Sequence, residues 1–510
     1  MTHEWEKSDP AKVTRKPANG GERTPLELGE RRAGTEGNTN GTPTCRTPSR
    51  GSVPMGLERV RGRARLDKKE RFTALLHHVD VDLLRTSFLA LKRKAVPGVD
   101  GLTWAQYEQD LESYLADLHG RVHRGAYRAL PSRRTYIPKE DGRQRPLGVA
   151  ALEDKILQRA VVSVLNAIYE EDFLGFSYGF RSGRSQHDAL DALAVGITRT
   201  KVNWIVKVDL RSFFDSVSHD WLVRFVEHRV GDPRILRLIR KWLKAGVMED
   251  GEWRAMESGT PQGATASPLL ANAYLHYVFD LWAQRWRHRE VHGNVIYVRY
   301  ADDILAGFEH RVDVERFLAA LRERVEKFSL SLHPEKTRLI EFGRHAAEAR
   351  SRRGMGKPET FDFLGFTHIC SRDRRGWFQL KRKTRRDRMR TTLKAIKVEL
   401  KRRLHESVPL QGQWLGRVVR GYFAYHAVPT NFRSLSAFRH RVARLWLRAL
   451  RRRSQKDRTT WVRALTLVAD FLPSPRILHP WPETRFRVTH PRWEPSARIG
   501  PARFCAGGTQ

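Results

Sequence analysis

The 510-residue chain carries 94 Lys and Arg against 57 Asp and Glu, a formal net charge of +37, and 40% of it is hydrophobic. That length and apolar content can fill about two to four domain cores, and so large a positive excess draws polyanions from long range, which makes nucleic acid the expected partner. Ribosomal and anionic-membrane binders of this charge are usually short or carry apolar anchors, whereas here 14 Trp and 23 Phe are spread through a long chain.

Cys45, Cys370 and Cys505 are the only cysteines, too few and too scattered for a disulfide framework or a four-cysteine zinc site. There is no basic segment followed by an apolar stretch at the N-terminus, and no apolar run near the roughly 20 residues that span a bilayer. A soluble, cytoplasmic protein without membrane contact is expected.

Residues 1 to about 60 are rich in Gly, Thr, Pro, Glu and Arg without hydrophobic period, and read as a flexible extension. From Leu66 to Lys94 apolar positions recur at three- and four-residue steps (Phe72, Leu75, Leu76, Val79, Leu83, Leu84), a helical pattern with breaks. Pro97-Gly98 and Asp100-Gly101 mark a turn, and Tyr136-Ile137-Pro138 before Asp141-Gly142 reads as one arm of a hairpin. A mixed helix and strand lobe should run to about residue 200.

Between about 200 and 370, short apolar strands (Trp204–Val208, Val295–Tyr300, Ile304–Phe308, Phe361–Phe366) alternate with helical stretches, an α+β lobe around one sheet. From Lys381 to Thr460 the pattern becomes Arg-rich and helical, with Met389, Leu393, Ile396, Leu400 and Leu404 along one face and further helices near Trp414–Phe423 and Val442–Leu450. These 80 residues hold about 24 Lys and Arg against about 4 acids, more than half of the net charge. The Pro-rich segment from about 476 to 510 reads as irregular.

Tyr300-Ala301-Asp302-Asp303 lies between two apolar strands, which places both carboxylates on a tight turn. An acidic pair in a turn is by itself ordinary turn chemistry, but Val295, Ile296, Val298, Ile304 and Leu305 make this hairpin a buried one. Adjacent acids at a buried turn repel and need a cation, for which hard Mg²⁺ is the natural choice. Asp209 ends the strand Trp204–Val208 and supplies a third acid. Three carboxylates at neighbouring strand ends are what two-metal phosphoryl transfer requires, although a lone acid there reads as a strand-end cap.

These acids, with the segment Thr260-Pro261-Gln262-Gly263-Ala264-Thr265-Ala266-Ser267-Pro268-Leu269-Leu270-Ala271-Asn272, resemble the palm motifs of group II intron-encoded reverse transcriptases. The resemblance extends to Tyr178–Ser185, Pro138–Leu147 and Phe361–Phe366 and covers about 66 to 475. It implies a right-hand polymerase: fingers (61–200), a palm with a split βαβ sheet (201–370) and a basic helical thumb or maturase domain (371–475). It further implies that Asp209, Asp302 and Asp303 hold two Mg²⁺ ions while Lys139 and Arg145 meet the incoming triphosphate. Gln262 and Gly263 would line the base-pair pocket, Phe214 would exclude a ribose 2′-hydroxyl, and Lys336 would stand near the departing pyrophosphate.

Outward cations of the basic helices, Arg385, Arg386 and Arg388 among them, are expected to grip RNA, with the aromatics mostly in the core. The implied partners are intron RNA, an RNA template with a DNA primer, dNTPs and target DNA. Arg211 stands where the family would have Lys, and the tail lacks the paired Cys and His ligands of a zinc-supported nuclease, so no endonuclease is expected. Competing readings are an RNA-dependent RNA polymerase, suggested by Asp215, a retron or diversity-generating reverse transcriptase, and a splicing cofactor that no longer polymerises.

Overall fold

The computed structural model describes residues 55–138, 144–453 and 460–489. The chain begins there with helix α1 (Met55–Leu66), followed by α2 (Val81–Leu89), and both pack on the long helix α3 (Leu152–Asp172). The extension expected to reach about residue 60 therefore overlaps a helix. Leu57, Val60 and Ala64 recur at three- and four-residue steps and are buried, a short apolar stripe masked by the arginines around it. The helical pattern from Leu66 onward is interrupted where the Leu75 and Leu76 amides donate to the buried Asp232 carboxylate at 2.8 and 2.9 Å. It resumes at α2, capped by Asp80, whose carboxylate accepts from Leu83 N at 2.7 Å.

Strands β1 (Ser132–Pro138) and β2 (Gln144–Val149) form the expected hairpin; Lys139 lies outside the described residues. They join β4 (Val247–Glu249) and β5 (Glu252–Arg254) in a sheet of order β2-β1-β4-β5.

The central sheet has order β6-β7-β3-β8, from β6 (Val295–Tyr300), β7 (Asp303–Phe308), β3 (Trp204–Val208) and β8 (Arg338–Glu341), all antiparallel. Both of its faces are covered, which is why β6 and β7 read as continuous apolar runs. Val298, Tyr300 and Leu305 pack toward Leu193 and Ile197 of helix α4 (Gln186–Arg199). Tyr297, Ala306 and Phe308 share the other core with Phe317 of helix α6 (Arg311–Glu326). Helix α5 (Ser267–Leu275) belongs to that second core as well.

Phe361–Phe366 is not one strand. Leu364 and Gly365, at φ +44° and +78°, turn the chain between β9 (Phe361–Phe363) and β10 (Phe366–Arg372). Strand β11 (Phe378–Thr384) completes a sheet of order β11-β10-β9. The helical region read from Lys381 therefore starts only at Arg386. Leu380, Arg382 and Thr384 alternate inward with the two-residue period of a strand, a signal hidden by the basic composition.

Helices α7 (Arg386–Arg402), α8 (Val408–His426), α9 (Phe432–Arg451) and α10 (Trp461–Phe471) form a separate core around Ile396, Trp414, Tyr422, Phe438 and Trp446. The aromatics are mostly core, as expected; Tyr422 stacks on Phe438 at 3.6 Å and Trp446 Nε1 donates to buried Gln411 at 3.1 Å. Gly412 lets Phe471 of α10 approach α8, since a Cβ there would meet its ring at 2.5 Å.

The tail expected to be irregular contains helix α11 (Pro482–Thr489), which docks on α4. Phe486 is buried, and Arg485 Nε lies 2.9 Å from the Asp191 carboxylate, which Arg382 of β11 also reaches at 2.8 Å.

Candidate active site

Strands β6 and β7 are joined by only Ala301 and Asp302, with Tyr300 paired to Asp303. Ala301 sits at φ +55°, where an L-residue is strained, and a Cβ on Gly179 would lie 2.3 Å from Ala301 N. The turn is thus pressed against the Tyr178–Ser185 segment singled out in the sequence. The β3–β7 register pairs Val208 with Ile304, so its continuation brings Asp209 beside Asp303.

Asp302 is half-buried and Asp303 exposed. Burial, then the charges of Asp303 and Asp209, push the Asp302 carboxyl up to about 6, against the pull of Arg145. The structure therefore gathers Asp209, Asp302, Asp303 and Arg145 in one electrostatic neighbourhood. The carboxylates adjoin without closing on a point: among the described residues no three His, Cys, Asp or Glu side chains stand close enough to hold an ion. Oxygen donors that repel one another in this way suit a hard divalent cation, whose charge would relieve the repulsion.

Lys336 Nζ lies 3.9 Å from Asp209 Oδ2, with the lysine half exposed. Its loop also holds the backbone of Asp209: His333 N donates to Asp209 O at 2.8 Å, and Asp209 N donates to Thr337 Oγ1 at 3.4 Å. The sequence points to Lys336 but not to His333 and Thr337, which stand beside it in His333-Pro334-Glu335-Lys336-Thr337.

Phe213 and Phe214 fall on a one-turn helix, Phe213–Ser216, and Ser212 enters it at φ +44°. Phe213 is core at 3% exposure, whereas Phe214 is half-buried. Thr260 N donates to Phe214 O at 2.8 Å, and Gln262 O accepts from Gly148 N of β2 at 2.7 Å. Gly263, at φ +110°, has its Cβ position 3.0 Å from Gly148 O. The Thr260–Gly263 loop thus bridges the Phe214 turn and the hairpin that carries Arg145.

The three cations chosen for RNA contact differ from one another. Arg385 pairs with Asp387 and lies 3.5 Å from Asp362, Arg388 is half-buried, and Arg386 is exposed. The exposed row on α7 continues through Arg390, Lys394, Lys397 and Lys401, at spacings of three and four that were already legible in the sequence.

Residues 137–368 match the family model described as reverse transcriptase (RNA-dependent DNA polymerase). The Escherichia coli protein YkfC is 36% identical over 303 residues, 52% of this chain and 80% of that protein. The chain belongs to the reverse transcriptase family. Another relative of this reverse transcriptase is the group II intron-encoded protein LtrA of Lactococcus lactis, 40% identical over 30% of this chain and 25% of that protein. The retron Mx162 reverse transcriptase of Myxococcus xanthus is 30% identical over 41% of this chain and 44% of that protein. The match thus spans most of YkfC but only a quarter of LtrA, and the resemblance to group II intron-encoded reverse transcriptases agrees with both the family and the relatives. Reverse transcriptases use divalent metal ions. No helix among the described residues is long and apolar enough to cross a membrane.

Proposed function

We propose that the chain extends a DNA primer on an RNA template, using two Mg²⁺ ions held by Asp209, Asp302 and Asp303, and that it also binds group II intron RNA to assist splicing and retrohoming into target DNA. The observation that supports this reading is the approach of Asp209, which follows β3, to Asp302 and Asp303 at the β6–β7 turn, where burial and then the neighbouring acids push the Asp302 carboxyl up. When bound, the ions would activate the primer 3′-hydroxyl and steady the leaving pyrophosphate.

The side chains divide the remaining work. Arg145, on the hairpin facing the acids, meets triphosphate charge, together with Lys139 by resemblance. Phe214 is half-buried beside the Thr260–Gly263 loop, and by resemblance it would exclude a ribose 2′-hydroxyl. Gln262 and Gly263 bring backbone against the nascent base pair. Lys336, 3.9 Å from Asp209, would by resemblance give a proton to the departing pyrophosphate.

The exposed α7 cations support a salt-sensitive grip on RNA. The test is dNTP incorporation by purified protein on an RNA template with a DNA primer, with and without intron RNA. Incorporation that needs Mg²⁺ and vanishes in Asp302→Asn supports the polymerase reading. Intron splicing without any incorporation would instead favour the splicing cofactor.

A further inference from the structure

The turn that carries Asp302 and Asp303 is tied from beneath by a side chain to which no function has been assigned so far. Arg299 lies on β6 three residues before Asp302, and its side chain is wholly buried. Its Nε and Nη2 donate to the two oxygens of Asp280 at 2.7 and 2.5 Å. The third nitrogen, Nη1, donates to Asn272 Oδ1 at 2.9 Å and to the carbonyl of Ala301 at 3.1 Å. Asn272 Nδ2 donates in turn to Gly179 O at 2.7 Å, and Gly179 is the residue against which Ala301 N is pressed.

Ala301 is therefore held on two sides, its nitrogen pressed against the Gly179 backbone and its carbonyl, in the peptide to Asp302, bonded by the Arg299 guanidinium, while Asn272 links the two holders. The backbone of Arg299 is fixed as well: its N–H donates to Phe176 O at 2.8 Å and its carbonyl accepts from Tyr178 N at 2.9 Å.

Asp280 faces Arg299 at the end of a local widening of the helix. After α5 the chain makes a π turn, His276–Asp280, and a fully buried Asp280 ends it. Such turns inside helices recur at functional sites. The charge of Arg299 is matched by Asp280, so what it supplies to the turn is a fixed planar fork, which lysine cannot reproduce. The strained φ of Ala301 makes this support necessary, since an unsupported L-residue relaxes out of that region.

We infer that Arg299, backed by Asp280 and Asn272, is a positioning residue that sets the orientation of the Asp302 and Asp303 carboxylates toward metal. This rests on the reading that these acids bind divalent cations. It acts through the Ala301 peptide, not by touching metal or substrate.

The test uses the full chain and Mn²⁺ as the probe, with free Mn²⁺ followed by electron paramagnetic resonance in the absence of turnover. Wild type, Asp302→Asn, Arg299→Lys and Asn272→Ala are titrated in parallel, with circular dichroism and melting to establish folding. Arg299→Lys should weaken Mn²⁺ binding by about ten- to hundredfold, as loss of an outer-shell partner does. In primer extension its Mg²⁺ half-saturation should rise to match, while KM for dNTP at saturating Mg²⁺ stays within about twofold.

Asn272→Ala leaves the Arg299–Asp280 pair in place and should shift Mn²⁺ binding in the same direction by a smaller factor; it decides the matter if Arg299→Lys does not fold. Folded variants that bind Mn²⁺ as wild type does, while Asp302→Asn does not, overturn the positioning role alone. Mn²⁺ binding by Asp302→Asn equal to wild type overturns the assignment of the acids themselves.

Discussion

The β6–β7 hairpin and the helical module from α7 to α10 carry charge in opposite ways. At the hairpin the charges are few, acidic and crowded, and each is fixed by specific partners: Asp302 beside Asp303 and Asp209, and the turn beneath them tied to Arg299. On α7 the charges are many and basic and stand apart in water, from Arg386 through Arg390, Lys394 and Lys397 to Lys401. A crowded acidic site fails when one atom changes, because the remaining groups cannot move to compensate. A row of solvated cations loses strength in proportion to the number removed. The comparison teaches that catalysis and nucleic-acid grip should be separable by mutation.

The largest expected effect is at the hairpin. Asp302→Asn or Asp303→Asn keeps side-chain volume and removes a charge, so cDNA synthesis should fall by about three or more orders of magnitude. RNA affinity, measured by filter binding across salt concentrations, should stay at the wild-type value. Equal loss of both in a folded variant breaks the separation.

Next comes the sugar gate. Phe214→Val opens space beside the sugar, and the ratio of ribonucleotide to dNTP incorporation should rise by roughly tenfold or more. An unchanged ratio in an active variant would make Phe214 a plain core residue.

On the basic helix, replacing Arg390, Lys394 and Lys397 together by Gln should lower RNA affinity by about tenfold near physiological salt. The slope of log affinity against log salt should flatten by about two to three. Polymerase activity on a short template-primer at low salt should persist. These positions test the idea better than Arg385 or Arg388, whose guanidiniums are partly withdrawn from water.

The smallest effect is thermal. A carboxyl raised to about 6 in the folded chain from an ordinary 3.8 binds its proton more tightly folded than unfolded. Its contribution to stability is therefore lost as pH rises through that window. Mg²⁺ should counter this above the window, raising Tm by a few degrees at pH 7.5, less at pH 5, and not in Asp302→Asn. A Tm gain equal at both pH values would detach the raised carboxyl from metal binding.

Much of the palm was legible because its signals are local. The apolar runs that flank Tyr300–Asp303, and Asp209 at the end of its strand, are read from fewer than ten residues each, and the register then brings them together. What the sequence hid depends on distant partners. Nothing near Arg299 says that it will bond Asp280, 19 residues away, because the link needs a π turn to aim the acid. Helix α11 was hidden in a Pro-rich tail because its order comes from Phe486 and Arg485 packing on α4, not from its own pattern. Strand β11 was masked for a different reason: its inward Arg382 looks like surface charge until Asp191 is placed opposite it.

That same Asp191 fixes the mechanical character of the helical module. Arg382 lies just before the module and Arg485 just after it, and both guanidiniums converge on one buried carboxylate of α4. Entry and exit are thus riveted at a single point, so the module is a closed loop of chain and not a free arm. Rotating it away as a whole would strain both attachments at once, which leaves flexing between its own helices as the softer motion. Asp191→Asn would loosen both ends together and strand two arginines without their counter-charge, whereas Arg485→Gln would open only one.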